Sequence, residues 1–320
     1  MKNILSSFFI LLLTTQFCEA QLLAFAGTKN GHRYSSKYTG ASNKISQLAT
    51  TQEVENFVRL LDKRFSNFKV DISLMNAENK RPDLFNAAKP KSWQTGDLDD
   101  NGFSGFLVIG SVSGTPVIIC IIDTGFNDYV IKKLNRRTFE ECAYPSIKSV
   151  NGKSVICYFH HQHELKENSK VPNEIHLDTL TYKFGDLVEL NGNVQNHKIE
   201  KIQYTTTACF GSCPVFSMAI EADRKAEFSG IKFNKRNGHL SSLINEDDFK
   251  TLTGLLNYIN FSELKNNYAV NWSDDQTSTM IITYDGGKTK TITDYGLVGT
   301  FGLNRIHDLI FKLRDNQQWR

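Results

Sequence analysis

Apolar residues recur at two spacings along this chain, every third or fourth position in a few stretches and every second position in many more. That pattern predicts strands interrupted by occasional helices. Thr50 and Glu53 stand as a capping box ahead of Val54, Phe57, Val58, Leu61 and Phe65, which predicts a helix. Phe68, Val70, Ile72 and Leu74 then alternate with polar neighbours, as a strand with one buried face does. Residues 76 to 95 are polar, carry two prolines and read as a long loop. Phe106 to Ile109 and Val117 to Ile122 flank a Gly-containing turn as a hairpin, and a second hairpin turns at Asn151-Gly152.

Further along, strands are predicted over Thr181 to Leu190, Ile199 to Thr206, Val215 to Glu221 and Ala226 to Phe233. A helix follows, capped by Asn245 with Asp248 in the capping-box position, its apolar face made of Phe249, Leu252, Leu255, Leu256 and Ile259. Thr279 to Tyr284 and Lys288 to Ile292 pair across Asp285-Gly286-Gly287, and Leu303, Ile306, Leu309, Ile310 and Leu313 mark a closing helix. The fold class expected is α+β in two halves, the second a mainly antiparallel sheet with helices packed on one face.

The N-terminus carries an export pattern: Lys2, an apolar stretch from Ile4 to Leu13 too short to span a bilayer, and Cys18-Glu19-Ala20 before a mature start at Gln21. A lipid anchor on Cys18 is the weaker alternative, because Phe17 stands where that processing needs a small residue. Hence the expected organisation is a signal peptide over 1–20, an N-terminal α+β domain over 21–163, a charged linker over 164–174 and a C-terminal domain over 175–320. The destination is the periplasm or the exterior. A formal charge of +3 gives no reason to expect nucleic acid or an acidic membrane, and no later segment is apolar enough for a transmembrane helix.

Five cysteines remain after the leader. Export favours oxidation, so Cys209 and Cys213, in C-F-G-S-C-P with a Gly to allow a tight turn, are expected to form a disulfide. Cys142 and Cys157 flank the second predicted hairpin as a further candidate pair, leaving Cys120 as an inert thiol in a buried strand. The stretch from Asp178 onward, with D-T-L-T-Y-K-F-G, I-E-K-I-Q-Y-T-T-T-A-C-F-G-S-C-P-V-F-S-M and A-E-F-S-G, resembles a family of exported bacterial proteins known as a domain of unknown function. The hallmark of that family is a C-F-G-x-C-P run leading into a strand. The resemblance implies export and a compact domain; it brings no established activity and no catalytic residue.

Three other constellations bear on chemistry. Asp97, Asp99 and Asn101 follow the D-x-D-x-N-G opening of a calcium loop, but Gly105 and Val108 stand where later ligands would be needed, so a polar turn is the favoured reading over weak calcium binding. Ile121-Ile122-Asp123-Thr124-Gly125 matches the core of an aspartic protease half-site, and without a second D-T-G it reads as a turn closing a strand. His160, His161, His163 and Glu164 form a cluster at the start of the linker, where a solvated stretch is favoured over zinc or copper. With no complete set of nucleophile, base and oxyanion donor, the expected role is non-enzymatic, binding an unknown ligand or envelope protein. The competing class is an enzyme, either a thiol-disulfide protein using Cys209 and Cys213 or a hydrolase using Asp123.

Overall fold

The computed structural model describes residues 44–72, 90–125, 128–135, 143–161, 175–270 and 272–320. The leader, Cys142, His163, Glu164 and the expected linker therefore lie outside the described residues. The chain forms two compact units, divided between Gly192 and Asn193. Strands dominate both. Among the described residues three α-helices accompany them, and every strand pair is antiparallel except one.

In the first unit, α1 (Thr51–Leu61) begins at the expected capping box: the Thr50 hydroxyl accepts from the Glu53 N–H and the Glu53 carboxylate accepts from the Thr50 N–H at 2.9 Å. Its Val54, Phe57 and Val58 share a buried cluster with Phe106, Val108, Ile119 and Ile121. Arg59 donates twice to the Phe68 carbonyl, which fixes the helix against β1 (Phe68–Val70). The strand is shorter than the alternation predicts. The expected loop over 76–95 also contains a strand, β2 (Trp93–Gly96), paired with β3 (Gly105–Val112). β3, β4 (Thr115–Gly125) and β5 (Asp128–Lys133) complete this sheet in the order β1-β3-β4-β5. Residues 117–123 of β4 are buried without alternation, as a strand covered on both faces should be.

A second sheet of this unit has the order β6-β7-β8-β9, from β6 (Ala143–Val150), β7 (Lys153–His161), β8 (Ile175–Lys183) and β9 (Asp186–Glu189). The turn at Asn151-Gly152 is where the sequence puts it, both residues at positive φ. By contrast, the single strand expected over Thr181 to Leu190 is the β8–β9 hairpin, and it pairs with β7. That pairing moves residues 175–192 out of the C-terminal half to which the sequence assigns them.

The second unit is built on one seven-stranded sheet in the order β13-β12-β11-β10-β15-β16-β14. β10 (Ile199–Thr206) and β11 (Val215–Glu221) fall within the predicted bounds, and β12 (Lys225–Lys232) differs by one residue at each end. β13 (Gly238–Leu243) lies outside the strands that the pattern predicts; it is a largely exposed edge strand without an apolar alternation to reveal it. α2 (Glu246–Tyr258) starts at Asn245, whose side chain accepts from Asp247 and Asp248 N–H groups. The capping box is not reciprocal there, since the Asp248 carboxylate takes hydrogen bonds from Lys312 and Gln317 instead. β14 (Asn267–Ala269) runs parallel to β16 (Lys288–Tyr295), itself hairpin-linked to β15 (Thr277–Tyr284). α3 (Phe301–Asn316) meets the sheet through Phe311, which packs edge-on against Phe216 and Tyr204.

Candidate functional site

The turn between β10 and β11 is fixed at several independent points. Cys209 and Cys213 form a disulfide with their Cα atoms 5.7 Å apart. At its base, the buried Gln276 side chain donates from Nε2 to the Thr207 carbonyl at 3.0 Å and to the Pro214 carbonyl at 2.7 Å. These two carbonyls lie on either side of the staple, so one amide holds both ends of the loop. Thr206 Oγ1 adds a donation to the Pro214 carbonyl and accepts from the Phe216 N–H. Higher up, the Phe210 N–H donates to the Asp274 carbonyl at 2.9 Å and the Gly211 N–H to the Cys209 carbonyl.

All of this constraint ends in a Phe210 side chain that is 92% exposed. Burying a Phe is worth about 1.5–3 kcal/mol, so a loop free to relax would fold its ring inward. Here the backbone bonds and the disulfide hold it out. A strand, β11, follows the second Cys, so no helix N-terminus lowers the thiol pKa in the manner of C-x-x-C redox enzymes. The arrangement suits presentation of an apolar side chain better than thiol exchange.

In the first unit, the Asp97 carboxylate accepts from the Asn101 and Gly102 N–H groups, closing the acidic loop from within. Asn101 turns its amide nitrogen toward Asp99 and the Asp123 carbonyl, while its oxygen accepts from the Phe103 N–H. A donor thus points where a cation would need an oxygen. Burial, and then the neighbouring Asp97 charge, push the Asp99 carboxyl up to about 6. Among the described residues no three His, Cys, Asp or Glu side chains converge to hold a metal.

Asp123 is buried, and its Oδ1 accepts from the Gly125 N–H; the D-T-G is the bulged end of β4, still paired with β5, and not the turn expected. His160 and His161 belong to β7 and not to a linker, and His160 pairs with Asp178 at 2.8 Å. Cys157 is buried and faces Ser146 across the β6–β7 hairpin. Cys120 is buried in β4, and desolvation raises its thiol pKa, with Asp186 adding to the effect. Such a thiol stays protonated and unreactive.

Two polar clusters of the second unit carry no sequence signal, because their members are distant in the chain. Asp294 and His307 form a buried pair at 3.1 Å, and His307 Nδ1 lies 3.0 Å from the Tyr204 hydroxyl. Burial pushes the Asp294 carboxyl up, but His307 and the Val298 and Gly299 amides outweigh it and hold it below the usual range. In the other cluster, His197 Nδ1 lies 2.7 Å from Asp285 Oδ2 and its Nε2 3.2 Å from Ser262 Oγ. That is the order of a Ser-His-Asp array. Gln195 Oε1, however, sits 3.1 Å from the same Nε2 and 3.4 Å from the Ser262 hydroxyl. Gln195 Oε1 thus competes for both the imidazole edge and the hydroxyl, so Ser262 is not held on the imidazole alone as an activated nucleophile is. The imidazole therefore ties residues 195–198 to the β15–β16 turn and to the segment after α2.

Residues 200–314 match the family model described as a domain of unknown function (DUF6438). The matched span runs from β10 into α3 and includes the stapled loop. It begins later than the resemblance read from Asp178, and leaves β8 and β9 outside. No curated protein and no solved structure matches the chain.

Proposed function

We propose that the chain is an exported, non-enzymatic protein whose second unit is a binding module of the cell envelope, with the stapled loop as its contact. The observation that carries this reading is Phe210, almost fully exposed at the apex of a loop held by a disulfide, a buried amide and a cross-loop backbone bond. Pre-organisation of this kind reduces the entropy lost on binding, and exposed aromatic side chains are the usual anchors of interfaces. The leader pattern of residues 2–20 supports export, as does a structural disulfide, which persists in oxidising compartments. A nearly balanced overall charge supports a partner other than nucleic acid.

The test is sedimentation of the purified exported chain with an envelope fraction from its host, compared with Phe210→Ser. Removing an exposed ring should leave the melting temperature unchanged and cut the bound fraction at least tenfold. Equal sedimentation of the two proteins would overturn the loop as the contact.

A further inference from the structure

The stapled loop does not stand alone at its end of the sheet. Thr206, the last residue of β10, faces Ser278 near the start of β15, and Val215 at the start of β11 faces Lys232 at the end of β12. This topology brings residues 207–214, 231–237 and 272–276 to one end of the second unit. Hydrogen bonds tie the three together: Gln276 holds the stapled loop, the Asp274 carbonyl accepts from the Phe210 N–H, and Asn234 Nδ2 donates to the Val215 carbonyl at 2.8 Å. Gly230 permits the tight return of residues 233–237, since a Cβ there would lie 2.4 Å from the Arg236 carbonyl oxygen.

This end carries Phe210, Ile231 at 67% exposure, Phe233 at 47% and Trp272 at 41%. Among the described residues of the second unit, only Val194 and Leu243 are exposed large apolar side chains found elsewhere. Ile231 is the extra residue of a bulge, and Phe233 has Lys232 Nζ 4.7 Å from its ring centre. The segment Ile231-Lys232-Phe233-Asn234-Lys235-Arg236 interleaves apolar side chains with three cations and contains no acid. Asp274 and Asp275 lie on the neighbouring loop. Asp275 accepts from the Trp272 indole N–H and the Gln276 N–H, and the Ser273 hydroxyl donates to Asp274. Asp315 faces Lys235 at 3.7 Å, and Arg236 Nη1 donates to the Trp319 carbonyl at 3.2 Å, leaving its other guanidinium donors for a ligand. The three loop segments hold three cations against Asp274 and Asp275, a net +1, and all of their positive charge is concentrated in residues 232–236.

From this placement we infer that this end of the second unit docks on an anionic lipid surface. The apolar tips enter the interfacial layer, while Lys232, Lys235 and Arg236 meet headgroup phosphates. Protruding aromatic and aliphatic tips flanked by cations fit a bilayer interface, which accepts apolar side chains from above and draws Lys and Arg to its negative surface. The inference deepens the binding-module reading and rests on it.

The experiment is co-sedimentation of the exported, leader-free chain with phosphatidylcholine vesicles and with vesicles containing a quarter phosphatidylglycerol. Binding is expected to the anionic vesicles and to weaken with salt. It should fall at least tenfold in Phe210→Ser/Phe233→Ser and roughly fivefold for each of Lys232→Gln, Lys235→Gln and Arg236→Gln. Leu60→Ser, which removes an exposed apolar side chain of the first unit, serves as the control and should change nothing. Circular dichroism verifies that each variant is folded. Absence of binding to anionic vesicles, or binding indifferent to the Phe pair, overturns the lipid assignment. If envelope sedimentation still depends on Phe210 in that case, the binding-module reading stands with a protein or glycan partner; if it does not, that reading falls too.

Discussion

Gln276→Met tests the most specific physical claim made for the second unit, that one buried amide holds both ends of the stapled loop. Methionine nearly preserves the volume and removes both donors, so the loss is one of hydrogen bonding and not of packing. Each bond contributes about 1 kcal/mol net. The Pro214 carbonyl keeps Thr206 Oγ1 as a partner while the Thr207 carbonyl loses Gln276 Nε2, so the expected cost is about 2 kcal/mol. Urea unfolding followed by Trp fluorescence reads it, since Trp272 and Trp319 both lie in this unit. With a slope of roughly 1.5 kcal/mol per M, the midpoint should fall by more than 1 M. Opening the disulfide with Cys209→Ser/Cys213→Ser should cost about 2 kcal/mol from the closed-loop entropy alone. Because both restraints act on the same few residues, the combined variant should lose less than the sum of the two. A midpoint unchanged within about 0.3 M, a quarter of the expected fall, would refute the clamp.

Two further outcomes follow from the polar clusters. Asp99 has its folded-state pKa raised from 3.8 to about 6, so its contribution to stability is fully present below pH 4 and is lost as pH rises through 6. Discounted for its half-exposed position, the loss is about 1 kcal/mol; Asp99→Asn should remove it, and a variant with the same pH profile as the parent would contradict the assignment. Ser262 should resist labelling by a fluorophosphonate, measured by intact mass; stoichiometric, His197-dependent labelling would show that Gln195 does not block an activated hydroxyl.

The parts of the fold that were legible in sequence are those with a local cause. Thr50 and Glu53 cap α1, and alternation, interrupted only at bulges, marks β10 through β12 and the β15–β16 hairpin, because one face of each is buried. Where burial follows other rules the pattern fails. β13 exposes most of its residues and β2 is a short strand whose neighbours supply its order, so neither alternates clearly. The β8–β9 hairpin alternates, but which sheet it joins depends on β7, and no local feature reports that. Site residues divide the same way. The Cys209–Cys213 staple is a short-range fact and was legible, whereas Gln276, the His197 hub and the gathering of Phe210, Ile231, Phe233 and Trp272 depend on strand order.

Gln276 stands at the upper end of the β10–β15 seam, where Ile199 faces Tyr284 and Thr206 faces Ser278. Among the described strand pairs this one joins the segments farthest apart in the chain, so it carries the largest loop-closure entropy of the sheet, while β10 to β13 can zip as successive hairpins. Assembly order therefore separates two events that look like one in the finished molecule. The staple can close as soon as residues 209 to 213 have been made, but its loop gains its footing only after residue 276 has arrived and the seam has formed. An unfinished chain holds Phe210 on a tethered but wandering loop, and full-length synthesis is what converts it into a positioned contact.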